Sequence, residues 1–471
     1  MNQKYKYLLK NTGILTISNF ASKILVFLLV PLYTSVLSTA EYGVYDLVVS
    51  TISLLYPILT LNIVDGVMRF SMDKAYEKSE VAIIGIRYVT LSIAVIGVGL
   101  LPCHFLHLFD AIYGMEYLIF LYYLSYVLNQ YFIQLAKGLE KVTLMAVAGI
   151  LSTVMMLGGN IVFLLVFRWG LNGFLFANIL AQAVPAAYFF VRLRFVSFLK
   201  GVRFNRDLNK EILRYCLPLI FSTIGWWINS ASDRYVVTYI RGVSDNGILS
   251  VSYKIPAIIN TVFGMFGQAW QISAIKEYEG KDSGKFYEDS FVFINLLMCL
   301  GCAGLILLSK PLAKLLYAKD FYAAWQYAPF LLVSTVFNTA SGLIGPMLSA
   351  KKDSKSMAKS AIYGAAVNVV LNIVLVYMIG VQGAAIATAV SAFIIYYVRK
   401  KAIGDHLKIS QYYKVLILWI LLCVQACLEI YTGLWLIEAL IILAMLVLNF
   451  DIVHDFCYNM KAVFMKKKHS D

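Results

Sequence analysis

Long apolar stretches and short polar connections alternate along almost the whole chain. A helix needs about 20 largely apolar residues to cross the hydrocarbon of a bilayer. Fourteen stretches approach that length: 13–35, 44–66, 82–102, 115–136, 142–166, 171–191, 214–238, 247–270, 289–308, 325–349, 359–379, 382–398, 412–430 and 433–450. Joined by mostly short connections, they predict an all-α polytopic membrane protein. The first stretch follows Lys4, Lys6 and Lys10 but is too long for a signal-peptide core and lacks a small-residue cleavage site, so it reads as a retained span.

Composition agrees with the pattern. Of 471 residues, 61% are apolar and 14% charged, against about 45–50% and about 25% in soluble domains. Too few charges exist to cover so much apolar mass. The formal charge of +14 then decides orientation. If the N-terminus is inside, 32 of the 40 Lys and Arg fall in the termini and the inner loops, and 5 fall in the outer loops. Lys23, Arg234 and Lys254 lie within spans. This asymmetry predicts a multi-pass protein of the cytoplasmic membrane with both ends in the cytoplasm. The basic excess is topological, and no nucleic-acid partner is implied. One outer segment departs from the rule: in 309–323, Lys310, Lys314 and Lys319 interleave with Pro311, Leu315, Leu316 and Phe321. That pattern suits a short helix in the headgroup plane or an ordinary solvated loop.

Several superficial motifs carry no chemistry. Cys299 and Cys302 form a C-x-x-C inside an apolar run, without a second pair or a nearby histidine, so neither zinc nor redox chemistry is expected. Residues 280–285 resemble a phosphate-binding loop, but the spacing is one short and Phe286 stands where Ser or Thr is required. His104, His107 and Asp110 belong to an interfacial loop rather than to a metal site. No metal or cofactor is expected. The longest outer loop, near 309–324, contains Asp320 as its only acid, which offers no convergent acid–base site for a membrane enzyme.

The chain also repeats itself. Glu41-Tyr42-Gly43-Val44 precedes the second stretch, and Asp245-Asn246-Gly247-Ile248 precedes the eighth. Asn160-Ile161-Val162 followed by Gly170-Leu171-Asn172-Gly173 and Ala177 matches Asn372-Ile373-Val374 followed by Gly380-Val381-Gln382-Gly383 and Ala387. All these pairs are displaced by nearly the same distance, so spans one to six correspond to spans seven to twelve. The predicted organisation is an N-lobe at 1–194, a basic cytoplasmic linker at 195–213, and a C-lobe at 214–400. An accessory pair of spans at 408–450 and a basic tail at 451–471 follow. Two pseudo-symmetric six-helix lobes plus an added helix pair result. The G-x-x-G segments suit tight reversals and close helix approach.

At these residues the chain resembles a known family. The run from Val36 through Tyr45, Asp233-Arg234, Gly247 through Pro256, Gln268-Ala269-Trp270, and Asn368, Asn372 and Gly380 through Thr388 are similar to the Wzx-type polysaccharide flippases. These belong to the multidrug/oligosaccharidyl-lipid/polysaccharide (MOP) exporter superfamily. The resemblance implies two lobes that move an undecaprenyl-diphosphate-linked oligosaccharide from the inner to the outer leaflet by alternating access, for surface polysaccharide biosynthesis. The alternative within the superfamily is an ion-coupled antiporter of small molecules of the multidrug type. A membrane glycan polymerase is a more remote reading. The lipid-linked anionic glycan, membrane lipids, a coupling proton or sodium ion, and a glycan polymerase or other assembly proteins are the partners that follow.

Polar groups inside spans separate the first two readings. A charge at a span centre costs about 2.5–3.5 kcal/mol on insertion scales, so it faces water or protein. Lys23 is the sharpest case, central in the first stretch with Asn19 one turn away. Arg234 follows Asp233 on a stripe with Asn229 and Ser230. Lys254 lies ahead of Pro256, where a helix break is expected. Arg69 stands four residues after Asp65, a spacing that stabilises a helix without any ligand. Asp46 sits near the outer end of the second span, where it faces either water or a partner. Lys23, Asn19, Arg234, Lys254 and Arg69 are the substrate-site candidates. Asp46, Asp65 and Asp233 are candidates for structural or coupling charge pairs. This cationic set suits a diphosphate, whereas an exporter of organic cations calls for acids in the same places.

Overall fold

The computed structural model describes residues 27–107, 113–276, 283–407, 409 and 412–451. Lys23 and Asn19 lie outside them, as do Asp110 and most of the first apolar stretch. Among the described residues the chain is helical, without strands. Nine helices among the described residues are long and apolar enough to cross a membrane, and a shorter apolar helix, Trp435–Leu448, follows them. This is a multi-pass helical membrane protein. Of the remaining predicted spans, 13–35 lies mostly outside the described residues, 115–136 carries Asn129, Gln130 and Gln134, 214–238 carries Arg214, Asp233 and Arg234, 247–270 is broken, and 433–450 is the shorter helix.

The chain forms two compact units. The first comprises residues up to Tyr235 together with Val243–Gly247 and Leu316–Phe321. In it run α1 (Val30–Val36), α2 (Thr39–Leu59), α3 (Ile63–Met72), α4 (Lys78–Phe105), α5 (Glu116–Gly138) and α6 (Val142–Asn160). A π-helical turn at Ile161–Val166 continues α6, and α7 (Gly170–Arg192), the short α8 (Phe195–Phe198) and most of α9 (Arg206–Arg241) follow. The start of α2 is written in its sequence. The Ser38 hydroxyl accepts from the Glu41 N–H at 3.2 Å, while the Glu41 carboxylate accepts from the Ser38 N–H at 2.8 Å, a reciprocal cap. The core of this unit gathers Ile63, Val64 and Val67 of α3 with Tyr123, Tyr131 and Leu135 of α5 and Phe189 of α7.

The stretch 44–66 is expected as one span and is instead two helices. Pro57 lies in the last turn of α2, and beyond it Leu61 and Asn62 take left-handed backbone, φ 51° and 53°. The Asn62 N–H bonds back to the Pro57 carbonyl at 2.6 Å, which closes α2 before α3 begins. Apolar periodicity cannot reveal such a break, because Leu61 and Ile63 keep the run apolar through it.

The second unit comprises Val236–Gly242, Ile248–Leu315 and the chain from Tyr322 onward. Beyond α10 (Val243–Ser252) it holds α11 (Lys254–Lys276), α12 (Ser283–Leu307), α13 (Ser309–Leu316) and a 3-10 turn at Lys319–Gln326. Next come α14 (Ala328–Ala350), α15 (Ser354–Ile379), α16 (Val381–Ile403), α17 (Tyr412–Tyr431) and α18 (Trp435–Leu448). The central helix is α14: 83% of its most apolar window is buried, against 22% for α15, whose sides are left for lipid. Trp419 of α17 packs edge-on against Phe337 of α14 and Tyr396 of α16, tying the accessory pair to this core. Stretch 247–270 is also broken, between Ser252 and Lys254. Pro256 has no N–H to give to the Ser252 carbonyl, so the helix restarts with Pro256 in its first turn. Segment 309–323 is helical rather than an open loop, with Ala313, Leu316 and Phe321 buried and Leu315 72% exposed.

Each unit contains one copy of the predicted glycine crossing. A Cβ on Gly173 would stand 3.0 Å from the Phe163 carbonyl oxygen, and one on Gly383 would stand 2.3 Å from that of Leu375. Gly170 and Gly380, at the start of each reversal, have φ of 54° and 69°. Asn160 and Asn372 make the same hydrogen bond, each donating to the carbonyl one turn back, at 2.6 and 2.9 Å. Cys299 and Cys302 are buried free thiols, and no metal-binding cluster of His, Cys, Asp and Glu exists among the described residues.

Candidate functional site

The polar groups of the first unit form a ladder along α2, beginning where α2 meets α10. The two repeat signatures cross there. A Cβ on Gly43 would lie 2.1 Å from the Val243 carbonyl oxygen, and a Cβ on Gly247 would lie 1.9 Å from that of Thr39. Thr39 and Val243 are themselves equivalent when Gly43 is aligned with Gly247, so the contact is self-complementary, as at a two-fold axis. Backbone approach this close requires glycine on both sides. The Thr39 and Ser244 hydroxyls meet at 2.6 Å, and the Asn246 amide donates to the Gly43 carbonyl at 3.2 Å.

One turn further along α2, Asp46 receives Arg234 of α9 at 2.9 Å, with the side chains 15% and 20% exposed. The guanidinium also reaches the Ser50 hydroxyl at 3.4 Å. Trp227 donates its indole N–H to the Ser50 carbonyl at 3.0 Å, and the Thr51 and Tyr235 hydroxyls meet at 2.7 Å. Asp233 is buried and accepts from the Arg234 backbone N–H at 2.9 Å. Arg234 is thus neutralised across two helices, and Asp46 has a partner rather than open water. Removing one partner of such a pair leaves an uncompensated charge in a poor solvent.

At the far end of the ladder the expected Asp65–Arg69 pair does not form. Gln134 of α5 donates to Asp65 at 2.7 Å, and Arg69 pairs with Asp73 at 3.6 Å on an exposed edge. Asp65 opens α3 and Arg69 lies near its end, so a tertiary amide and a helix-terminal acid displace the local spacing. Asn129 donates to Gln182 at 2.6 Å in the same interior. Lys254, in the second unit, is the first residue of α11, directly after the helix break. Within the first unit the structure therefore brings Arg234, Asp46 and Asp233 together, while Asp65 and Arg69 take other partners. Ser50, Thr51, Trp227, Tyr235 and Gln134 complete the ladder without having been anticipated. The spacing of Asp46 and Ser50, one helical turn, is the signal that was there to find.

The fold is that of the MOP transporters. An inward-closed lipid II flippase MurJ superposes with a TM-score of 0.65 at 16% identity, covering 94% of this chain and 99% of MurJ. An inward-facing multidrug resistance MATE family transporter of the MOP superfamily also gives 0.65 at 16%, over 83% and 95%. A MOP superfamily transporter from Pyrococcus furiosus gives 0.56 at 15%, over 84% and 96%. The family described as polysaccharide biosynthesis protein matches residues 8–272, more than half of the chain, and the chain belongs to it. The probable low-salt glycan biosynthesis flippase Agl15 of Haloferax volcanii is 20% identical over 186 residues. That match spans 39% of this chain and 39% of Agl15, well under two thirds of either.

Proposed function

We propose that this chain is a flippase that carries an undecaprenyl-diphosphate-linked oligosaccharide across the cytoplasmic membrane for surface polysaccharide biosynthesis, by alternating access of an N-lobe and a C-lobe. Membership of the polysaccharide biosynthesis family carries the reading, supported by the flippase and transporter folds. The lobes run over 1–194 and 214–400, joined by the linker at 195–213. Spans 13 and 14 at 408–450 and the tail at 451–471 lie outside the repeat, and both ends face the cytoplasm. Lys23, Asn19, Arg234, Lys254 and Arg69 are the residues proposed to line the diphosphate site. Lysine and arginine suit this task because each phosphate oxygen accepts charge-assisted hydrogen bonds. A glycan polymerase or another assembly protein receives the product.

The test is export of the lipid-linked glycan by cells in which this chain is the sole flippase, normalised to folded protein in the membrane. Lys23→Arg is expected to keep partial export, and Lys23→Ala and Lys23→Glu to lose it. Full export by a well-folded Lys23→Ala protein refutes the anion site. A disulfide between Thr39→Cys and Ser244→Cys, whose parent hydroxyls touch, is expected to stop export reversibly. Unimpaired export with that bond complete refutes alternating access through this crossing. The MATE folds favour a second reading, antiport of a small molecule. Resistance to cationic drugs in the same cells, with no glycan export, selects it.

A further inference from the structure

The accessory helix pair contains a charged cluster that neither the repeat nor the α2 ladder uses. Gln425 and Glu429 lie one turn apart on α17, and Glu438 lies in the first turn of α18. Between them Gly433, with φ 61°, turns the chain so tightly that a Cβ there would stand 2.5 Å from Lys310 Nζ. Glu429 is 4% exposed and accepts from the Ser309 hydroxyl at 2.9 Å and from Lys310 Nζ at 3.5 Å. The same ammonium reaches the Glu429 carbonyl at 3.3 Å and lies 4.5 Å above the Trp325 ring. Glu429 and Lys310 are the charged groups that face Glu438, with the Gln425 amide beside them.

Hydrogen-bond accounting at this cluster does not close. Glu438 is fully buried, and neither carboxyl oxygen has a donor. Gln425 is also fully buried. Its Nε2 donates to the Ala303 carbonyl at 2.9 Å, while its Oε1 has no donor. Three adjoining acceptors therefore share a shortage of hydrogen, in a place where an unmet polar atom is costly. The charge is out of balance as well, since two carboxylates face one ammonium. A single proton removes the charge defect and reduces the hydrogen-bond defect from three unmet acceptors to one. It turns one carboxyl oxygen into a donor, cancels the surplus charge, and needs no added volume.

We propose that Glu438, with Glu429 and Gln425, is a binding site for one exchangeable proton. Release transfers the proton from the Glu438 carboxyl to water, giving hydronium and leaving two carboxylates, Glu429 and Glu438, against the one Lys310 ammonium. On the flippase reading, this makes the accessory pair the proton-coupled element of transport. That consequence rests on the proposed function, while the site itself does not.

The test uses the full-length protein in lipid nanodiscs and infrared difference spectra of the protonated-carboxyl C=O stretch. The parent is expected to show one such band that shifts in D2O and bleaches reversibly as pH rises. Glu438→Gln removes the band by removing the acid. Glu429→Gln removes it because Lys310 alone then balances Glu438. Either variant suffices should the other fail to fold. An unchanged band in a folded variant overturns the site. So does a cluster that answers to sodium rather than to pH, which marks a metal-ion site. In cells, Glu438→Gln is expected to abolish the pH dependence of export. If the parent exports no glycan while its band behaves as described, the transport reading fails and the proton site stands.

Discussion

Two charge clusters, one in each unit, solve the same problem differently. At Asp46–Arg234 one acid meets one base across two helices at 2.9 Å, and the surrounding hydroxyls supply further bonds. At Glu429–Glu438–Lys310 two acids meet one base, and the fully buried carboxyl has no donor. A balanced pair resists the loss of either member. An unbalanced trio is relieved by the loss of its surplus acid. The first arrangement holds helices in place, and the second is poised to exchange a proton.

The largest expected effect tests the balanced side. Arg234→Ala leaves Asp46 nearly buried without its cation and should cost about 3–5 kcal/mol. Thermal unfolding of purified protein in nanodiscs measures it, and Arg234→Ala with Asp46→Ala should recover most of the loss. Similar melting of the single and double variants would show that the pair contributes nothing. Next in size is Gly247→Ala, whose new methyl meets the Thr39 carbonyl oxygen at 1.9 Å. Overpacking of this kind costs about 1–3 kcal/mol. Gly225→Ala, where a Cβ finds nothing within 4 Å, is the control in the same assay.

On the unbalanced side the expected change is near zero or favourable. Glu438→Gln removes the surplus acid and supplies an N–H donor to a site that lacks one, so melting should stay level or rise. A fall comparable to that of Arg234→Ala would make the two clusters alike and end the comparison. The smallest effect belongs to a half-buried carboxylate that is in neither cluster. Asp353 accepts from the Ser356 hydroxyl at 2.8 Å and from the Ser356 N–H at 3.0 Å, capping α15. Those bonds hold its carboxyl below the usual value of 3.8. Its contribution is therefore complete above that value and fades as pH falls through the lower, folded one. Asp353→Ala should lower the melting temperature slightly at neutral pH and not at all once the parent carboxyl is protonated.

Much of this was open to reading along the chain. Apolar runs set the helices, and Lys and Arg placement predicts the orientation. The glycine signatures pointed to crossings that appear at Gly173 and Gly383 and again at Gly43 and Gly247. The Asp65–Arg69 pair was misjudged because helical spacing says which groups are near, and Gln134 from another helix came nearer. Glu429 and Glu438 also stand in apolar stretches, where an acid is as costly as a base.

The sequence by itself determined the class of protein, since no other solvent suits so apolar a chain, and it determined the repeat, since each glycine signature occurs twice. Only the tertiary structure decided which charges are partners. Pairing depends on distances of a few ångströms between helices far apart in the chain, and hydropathy has no information about them. The helix breaks at Thr60–Asn62 and at Tyr253 lie between these cases. Pro256 marks a missing hydrogen bond in the sequence, whereas the left-handed turn at Leu61 and Asn62 interrupts a run that stays apolar, and in both cases the packed fold chose where the backbone turned.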